Sequence, residues 1–226
     1  MKKIVKNLVL FVICMVCFTN CDSDKYITIY IPETANVQLE FSANQLSEYL
    51  TKIYPSYSFP ISKGISSISH SIHLDIKSNP NSNELNNNNN IAGSFSISNK
   101  ENRGFIIGTD EQGVLFGVYA LLENLGYGFF ISGDVIPKPK QVFDFEAWNI
   151  IENPTTEKRI NFNWHNFISG CTGWDLEHWK KWIEQSAKLR FNTIMVHAYG
   201  NNPMETFSHN GIEKKNRLPY IHCKRS

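Results

Sequence analysis

RGFIIGTDEQGVLFGVYALLENLGYGFF, residues 103–130, holds two periodicities in one stretch. Gly104 to Gly108 is a short apolar run bounded by glycines, which reads as a strand. From Thr109 the spacing changes: Val114, Val118, Leu121, Leu122 and Leu125 recur at helical intervals and form one apolar stripe. Thr109 stands three residues before Gln112, the spacing of a capping box, and Gly126 is placed to end the helix as its left-handed residue. Gly113 and Gly117 lie one turn apart; each costs about 1 kcal/mol relative to Ala inside a helix, and what they permit is close approach to a sheet.

Working outward, Ile91 to Ser98 alternates through Phe95 and Ile97, so it should pair with residues 104–108 across a hairpin about Asn99 to Asn102. Ile72, Leu74 and Ile76 alternate with His73 and Asp75, a half-buried strand. Residues 78–90 end in five consecutive Asn and read as a mobile surface loop, because Asn competes for its own backbone. Tyr26 to Ile31 is the first strand and Pro32 ends it. From about Thr34 to Ile53 the pattern is helical, with Val37, Phe41, Leu46, Tyr49, Leu50 and Ile53 on one broad stripe and Pro55 closing it. A short strand around Tyr57 to Ile61 carries Pro60 and belongs at an edge. The order β-α-β-β-β-β-α predicts an α/β fold: a small mixed-sheet domain over residues 26–135 with two helices on one face.

Residues 136–158, with Pro137, Pro139 and Pro154, read as a linker containing an extended segment. A second module opens at Arg159. Ile160, Phe162 and Trp164 alternate as a strand, and a loop with Gly170 and Gly173 follows. A helix from about Asp175 to Leu189 comes next, with Asp175 or Thr172 as cap and Leu176, Trp179, Ile183 and Ala187 as its stripe. Thr193 to His197 is then a nearly all-apolar strand, as buried parallel strands are. This is a β-α-β unit, the expected start of a (β/α)₈ barrel. Residues 159–226 number only 68, whereas such a barrel takes roughly 250, so the expectation is an incomplete barrel in a truncated copy of a larger protein or an incomplete reading frame.

The chain begins MKKIVKNLVLFVICMVCFTNC. Lys2, Lys3 and Lys6 precede an apolar run of 11 residues, Leu8 to Phe18, well short of the roughly 20 that cross a bilayer as a helix. Residues 1–20 therefore read as a signal peptide. The passage from Phe18 to Cys21, where an anchor and linker over residues 21–25 begins, resembles the lipobox of bacterial lipoproteins. That resemblance implies lipidation at Cys21 and a lipid membrane partner, on the bacterial outer membrane or cell surface. An ordinary signal peptide with an incidental cysteine is the alternative. Two or more acyl chains would anchor the chain stably, one only marginally.

Over the 226 residues the formal charge is +1. Without the three signal lysines the balance is 19 basic against 21 acidic residues. No basic stripe with interleaved aromatics exists, which argues against nucleic acid. Of five cysteines only Cys171 and Cys223 remain to pair, and there is neither a CxxC nor a Cys/His ligand spacing. Gly104, Gly108 and Gly113 do not make a GxGxxG, and no Walker loop, HExxH or GxSxG is present. No metal and no cofactor is expected.

Two segments carry a family resemblance. Arg103 to Thr109 through Gly113, Gly117, Tyr119, Leu122, Leu125-Gly126-Tyr127 and Phe130 resembles the end of the domain preceding the catalytic barrel in bacterial α-glucuronidases and β-hexosaminidases. Lys158 to Asn166, Trp174 to Asn192 and His197 resemble the first β-α-β of those barrels. The resemblance implies a glycan-degrading glycoside hydrolase and a carbohydrate partner, a glucuronide or an N-acetylhexosaminide. His165 stands where an acidic residue is more typical of the α-glucuronidases, and Asn192 and His197 match the hexosaminidase second strand. Trp164, His165 and Asn166 should lie at the end of strand one and His197, Tyr199 and Asn201 just past strand two, the face where barrels bind substrate. An indole can stack on a pyranose, while Asn and neutral His can bond its hydroxyls; a core Trp with satisfied polar neighbours is the other reading.

Glycoside hydrolysis normally needs two carboxyl groups about 5–9.5 Å apart. After Arg159 the acidic residues are Asp175, Glu177, Glu184, Glu205 and Glu213; the first three lie at or within the helix, away from the strand ends, and Glu205, past strand two, has no partner. No catalytic residue is assigned, and the chain is expected to be inactive alone. Trp179 should face the core and Trp182 the rest of the barrel. The competing readings are a non-catalytic carbohydrate-binding surface lipoprotein and a gene remnant that does not fold.

Overall fold

The computed structural model describes residues 25–77, 91–163, 165–166, 169–196 and 208–213. Cys21, the Asn-rich stretch and Cys223 lie outside the described residues. The chain divides into two units, one of residues up to 128 with 134–157, the other of 129–133 with 158 onward.

The first unit is built on a six-stranded sheet. Its strands are β1 (Thr28–Ile31), β2 (Ile61–Lys63), β3 (Ser71–Ile76), β4 (Phe95–Lys100), β5 (Arg103–Gly108) and β6 (Ile150–Glu152). They lie in the order β6-β4-β5-β3-β1-β2. β1 pairs in parallel with β2 and β3, and β3 with β5; β4 is antiparallel to β5 and to β6. The hairpin between β4 and β5 turns on Glu101 and Asn102, whose φ angles of 51° and 61° are those of a type I′ turn, matched to the twist of the strands. β2, beside Pro60, is an edge strand as expected.

Two helices, α1 (Val37–Ile53) and α2 (Glu111–Asn124), pack against each other on one face of this sheet. Tyr119 Oη donates to Gln45 Oε1 at 3.1 Å and Tyr127 Oη to the Tyr49 carbonyl at 2.8 Å, joining the pair. Between helices and sheet lie Ile29, Ile72, Leu74, Ile97 and Ile106, facing Leu46, Leu50, Val114, Val118 and Leu121, all buried.

Three local expectations are corrected. In α1 the buried series is Leu39, Ala43, Leu46, Leu50 and Ile53, stepping by four and three residues, while Val37 is 81% and Phe41 42% exposed. Val37 is the first helical residue, after the Asn36 cap that accepts the Leu39 N–H at 3.0 Å, and it points off that series. In α2 the cap is Asp110, not Thr109. Asp110 Oδ1 accepts the Gly113 N–H at 2.7 Å and the same carboxylate accepts the Gly93 N–H, while Thr109 Oγ1 donates to the Ile91 carbonyl. A charged acceptor suits a helix N-terminus better than a hydroxyl. The helix ends as expected: Gly126 has φ 111°, Tyr127 N–H donates to the Leu122 carbonyl and Gly126 N–H to that of Glu123, a Schellman closure.

The third correction concerns residues 136–158. Instead of serving only as a linker, they supply strand β6 and an aromatic plug. Phe143, Phe145 and Trp148 are buried, and the Trp148 ring occupies the space a side chain at Gly104 would need, 2.6 Å from the position of its Cβ. Asn99 Nδ2 donates to the Phe145 carbonyl and Asn124 Nδ2 to that of Ala147, tying the plug to β4 and α2.

On the sheet's other face Tyr30, His73 and Phe105 stand in register on β1, β3 and β5. Their rings are stacked at 5.3 and 5.1 Å, and the Arg103 guanidinium lies over Phe105. Ser71 Oγ donates to the Ile68 carbonyl at 2.6 Å, so it accepts from His73 Nε2 at 3.0 Å, which places the proton of the neutral ring on Nε2. Burial, then the nearby Arg103 charge, lower its pKa from 6.5 to about 4. The unfolded chain therefore binds this proton first on acidification. The stability so contributed is complete above pH 6.5 and is lost progressively as pH falls towards about 4. A His73→Phe variant should lose stability less steeply over that window than the wild type, measured by urea denaturation at pH 7 and 4.5. Parallel curves for the two proteins would contradict this.

The second unit contains β7 (Ile160–Phe162), α3 (Leu176–Lys188) and β8 (Thr193–Met195). β7 and β8 pair in parallel, Ile160 with Thr193 through Phe162 with Met195, so the expected β-α-β unit is present. Its helix face differs from the expected stripe: Trp182, Gln185, Ser186 and Lys188 are buried, whereas Leu176 and Ile183 are exposed. Polar pairing sets this rotation. Asn161 Nδ2 on β7 donates to Ser186 Oγ at 2.7 Å, and Ser186 Oγ donates to the Trp182 carbonyl at 2.6 Å. Lys188 is enclosed beside Phe129 and pairs with Glu184 at 2.9 Å.

Candidate functional site

Parallel strands place their C-terminal ends at one edge, and that edge is where α/β folds bind ligands. In the second unit it lies beyond Phe162 and Met195. Asn163 is the next residue after β7. Its backbone carbonyl accepts from Cys171 Sγ at 3.8 Å, and the Cys171 carbonyl accepts the Trp174 N–H at 3.2 Å. The turn Cys171–Gly173 is thus fastened to the strand end and leads into α3. Cys171 is buried.

At the start of α3 the indoles of Trp174, Trp179 and Trp182 meet, with ring centroids 5.3 to 6.1 Å apart. Trp182 is buried and Trp179 only half-buried, because Trp182 shares the face that carries Ser186. His178 stacks on Trp174 at 6.4 Å and gives Asp175 both its backbone N–H, at 3.0 Å, and its Nδ1, at 2.7 Å. These bonds, the backbone one foremost, hold the Asp175 carboxyl below its ordinary pKa. Asp175 is the helix cap and stands at the same end of the unit as the C-terminus of β7, not on the far side as the sequence suggested.

The opposite edge is structural. Asn192 Oδ1 accepts the Arg159 N–H at 2.8 Å, and Arg159 Nε donates to the Arg190 carbonyl at 2.7 Å. Asn192 thereby bolts the beginnings of β7 and β8 together, away from the strand ends that would face a ligand.

Of the residues expected to touch sugar, Trp164, His197, Tyr199 and Asn201 lie outside the described residues. The backbone of His165–Asn166 pairs antiparallel with Ser169–Gly170 just beyond the strand end. Glu205 also lies outside. Glu177 pairs with Lys180 at 2.8 Å and Glu184 with Lys188, so the described acidic side chains of α3 are all engaged in local bonds. Among the described residues no cluster of three or more His, Cys, Asp or Glu side chains could hold a metal. None of their helices is long and apolar enough to cross a membrane.

A mixed α/β sheet carrying two helices on one face, followed by a parallel β-α-β, defines the fold class, and it is one seen in glycoside hydrolases. BtGH115A, a GH115 4-O-methyl-α-glucuronidase with specificity for decorated arabinogalactans, superimposes with a TM-score of 0.57 at 15% identity, over 75% of this chain and 24% of its own. CpGH84D superimposes with a TM-score of 0.50 at 14% identity, over 74% of this chain and 26% of that one. This chain spans about a quarter of the length of either. The likeness at these identities is one of fold. No family model and no curated protein matches the sequence.

Proposed function

We propose that this chain is the accessory α/β domain and the opening β-α-β unit of a glycan-degrading glycoside hydrolase, acting on glucuronide- or N-acetylhexosaminide-containing glycans. Supporting this reading are a mixed sheet with two helices on one face followed by a parallel β-α-β, and two glycoside hydrolase structures that superimpose on about three quarters of the chain. In this reading Trp164, His165 and Asn166, with His197, Tyr199 and Asn201, line the sugar cleft at the strand ends.

Cleavage of an acetal requires a proton donor and a second carboxylate across the bond. Asp175, Glu177 and Glu184 pair locally with His178, Lys180 and Lys188 on α3, which supports the reading that this chain binds sugar without cleaving it. Incubation with aryl α-glucuronide and aryl N-acetyl-β-hexosaminide tests this: release of the aryl group above background would overturn it. The same engaged carboxylates favour a second reading, a non-catalytic carbohydrate-binding surface lipoprotein.

In both readings the chain is exported and held at the membrane by lipid on Cys21, each buried CH₂ contributing about 0.8 kcal/mol. A Cys21→Ser variant expressed in a bacterial host should move from the detergent-soluble membrane fraction to the aqueous one. An unchanged distribution, together with no fatty-acid labelling of the wild type, would exclude the anchor.

A further inference from the structure

Residues 22–24 are all that separates Cys21 from Lys25, the first residue of the sheet region. Fully extended, that tether reaches at most about 14 Å. An anchor at Cys21 therefore decides which part of the first unit comes close to a bilayer. Lys25–Tyr26 pairs in parallel with Tyr57–Ser58. The ladder runs on into β1, as Ile27 N–H donates to the Ser58 carbonyl and Ile29 N–H to that of Pro60. β1 thus leads straight away from the tether, and at roughly 3.3 Å per residue Ile31 lies about 20 Å beyond Lys25.

The edge nearest the tether is the one at which the parallel strands start. Thr28 of β1 is level with Ser71 of β3, Ser71 with Arg103 of β5, and Arg103 with Lys100 of β4. The segment entering β3 is held at this edge. Ser71 Oγ donates to the Ile68 carbonyl at 2.6 Å, and His70 N–H to the Asn102 carbonyl at 2.8 Å. Two large side chains stand out into solvent here, Tyr26 at 68% and Ile68 at 64% exposure. A tyrosine ring is favoured at a membrane–water interface, its body apolar and its hydroxyl wet, and an exposed isoleucine gains by leaving water. Charge does not decide the contact, because Lys25, Lys100 and Arg103 are matched in number by Asp22, Asp24 and Glu101.

Resting on the lipid-anchor reading above, we propose that this edge is a membrane-facing surface. Tyr26 and Ile68 enter the headgroup layer of a phospholipid bilayer, and β1, β3 and β5 run away from it. The tether supplies proximity; the two side chains supply the orientation.

The test uses the full lipidated chain in phosphatidylcholine vesicles, its acylation read by mass spectrometry. A nitroxide is attached at Ser69→Cys or, past the far end of β1, at Thr34→Cys, each with Cys223→Ser. Both positions are exposed, while Cys171 is buried and takes no label. The same variants carrying Cys21→Ser in solution are the reference. Collision of the Ser69→Cys label with a water-soluble nickel chelate should fall severalfold on vesicles, and at Thr34→Cys it should keep its solution value. Adding Tyr26→Ser and Ile68→Ser, both exposed and so compatible with the fold, should return the Ser69→Cys label to its solution value. Equal collision at Ser69→Cys on vesicles and in solution overturns the inference and leaves the anchor standing, as does an equal loss at both positions. Protection that survives Tyr26→Ser with Ile68→Ser overturns the role given to these side chains. A chain without lipid on Cys21 ends the anchor reading and the inference with it.

Discussion

Replacing Trp148 by alanine should lower the unfolding free energy by about 3–5 kcal/mol, the range for removing a large aromatic side chain from a core. Trp148 is 1% exposed, sits edge-on to Phe145 at 5.3 Å and covers Gly104 on β5. Its loss would open a cavity over the middle of the sheet, and the short strand β6 that follows it would lose its anchor. Urea denaturation should show the drop in midpoint. Hydrogen exchange should show faster loss of protection along β4, where Ser96 is paired with Ile151. A near-neutral substitution would mean that residues 143–152 are not part of the first unit's core.

Gly113→Ala should cost about 3 kcal/mol, although intrinsic helix preference alone favours Ala by about 1 kcal/mol. The added Cβ would stand 2.3 Å from the Ser94 carbonyl oxygen and 3.1 Å from Gly108 Cα. Both are backbone atoms on neighbouring segments, so neither can rotate away. Gly173→Ala is the control, because its Cβ would meet nothing within 4 Å; it should change stability by less than about 0.5 kcal/mol. Equal midpoints for the two variants would contradict the close approach of α2 to the sheet.

Much of the fold was legible wherever a periodic run was bounded by its own stop signal. The hairpin at Glu101-Asn102, the Gly126 closure of α2 and the close approach at Gly113 and Gly117 all follow from local chemistry that tertiary packing did not overrule. The misplaced features share a cause: they depend on which of two competing groups wins. Thr109 and Asp110 are both acceptable caps, and the carboxylate takes the role because the Gly93 N–H also converges on it. The buried face of α3 departs from its apolar spacing: Leu176 and Ile183 are exposed, while Ser186, bonded to Asn161, is buried. Trp148 was hidden for a different reason. Three prolines gave its neighbourhood the look of a linker, and the space it fills is created by a glycine more than 40 residues earlier. At the candidate site the strand end was foreseen, and the residues named there remain proposals. Asn192 matched the expected motif yet serves as a bolt at the opposite edge.

Recognition of a saccharide by this chain, proposed above, is the point on which its reading as a glycan-binding protein depends. Saturation-transfer difference NMR on the wild-type mature chain tests that most directly, with glucuronate, N-acetylglucosamine and an inert polyol present together. The prediction is transfer to the protons of at least one of the two sugars and none to the polyol. Equal transfer to all three solutes, or to none, would contradict it.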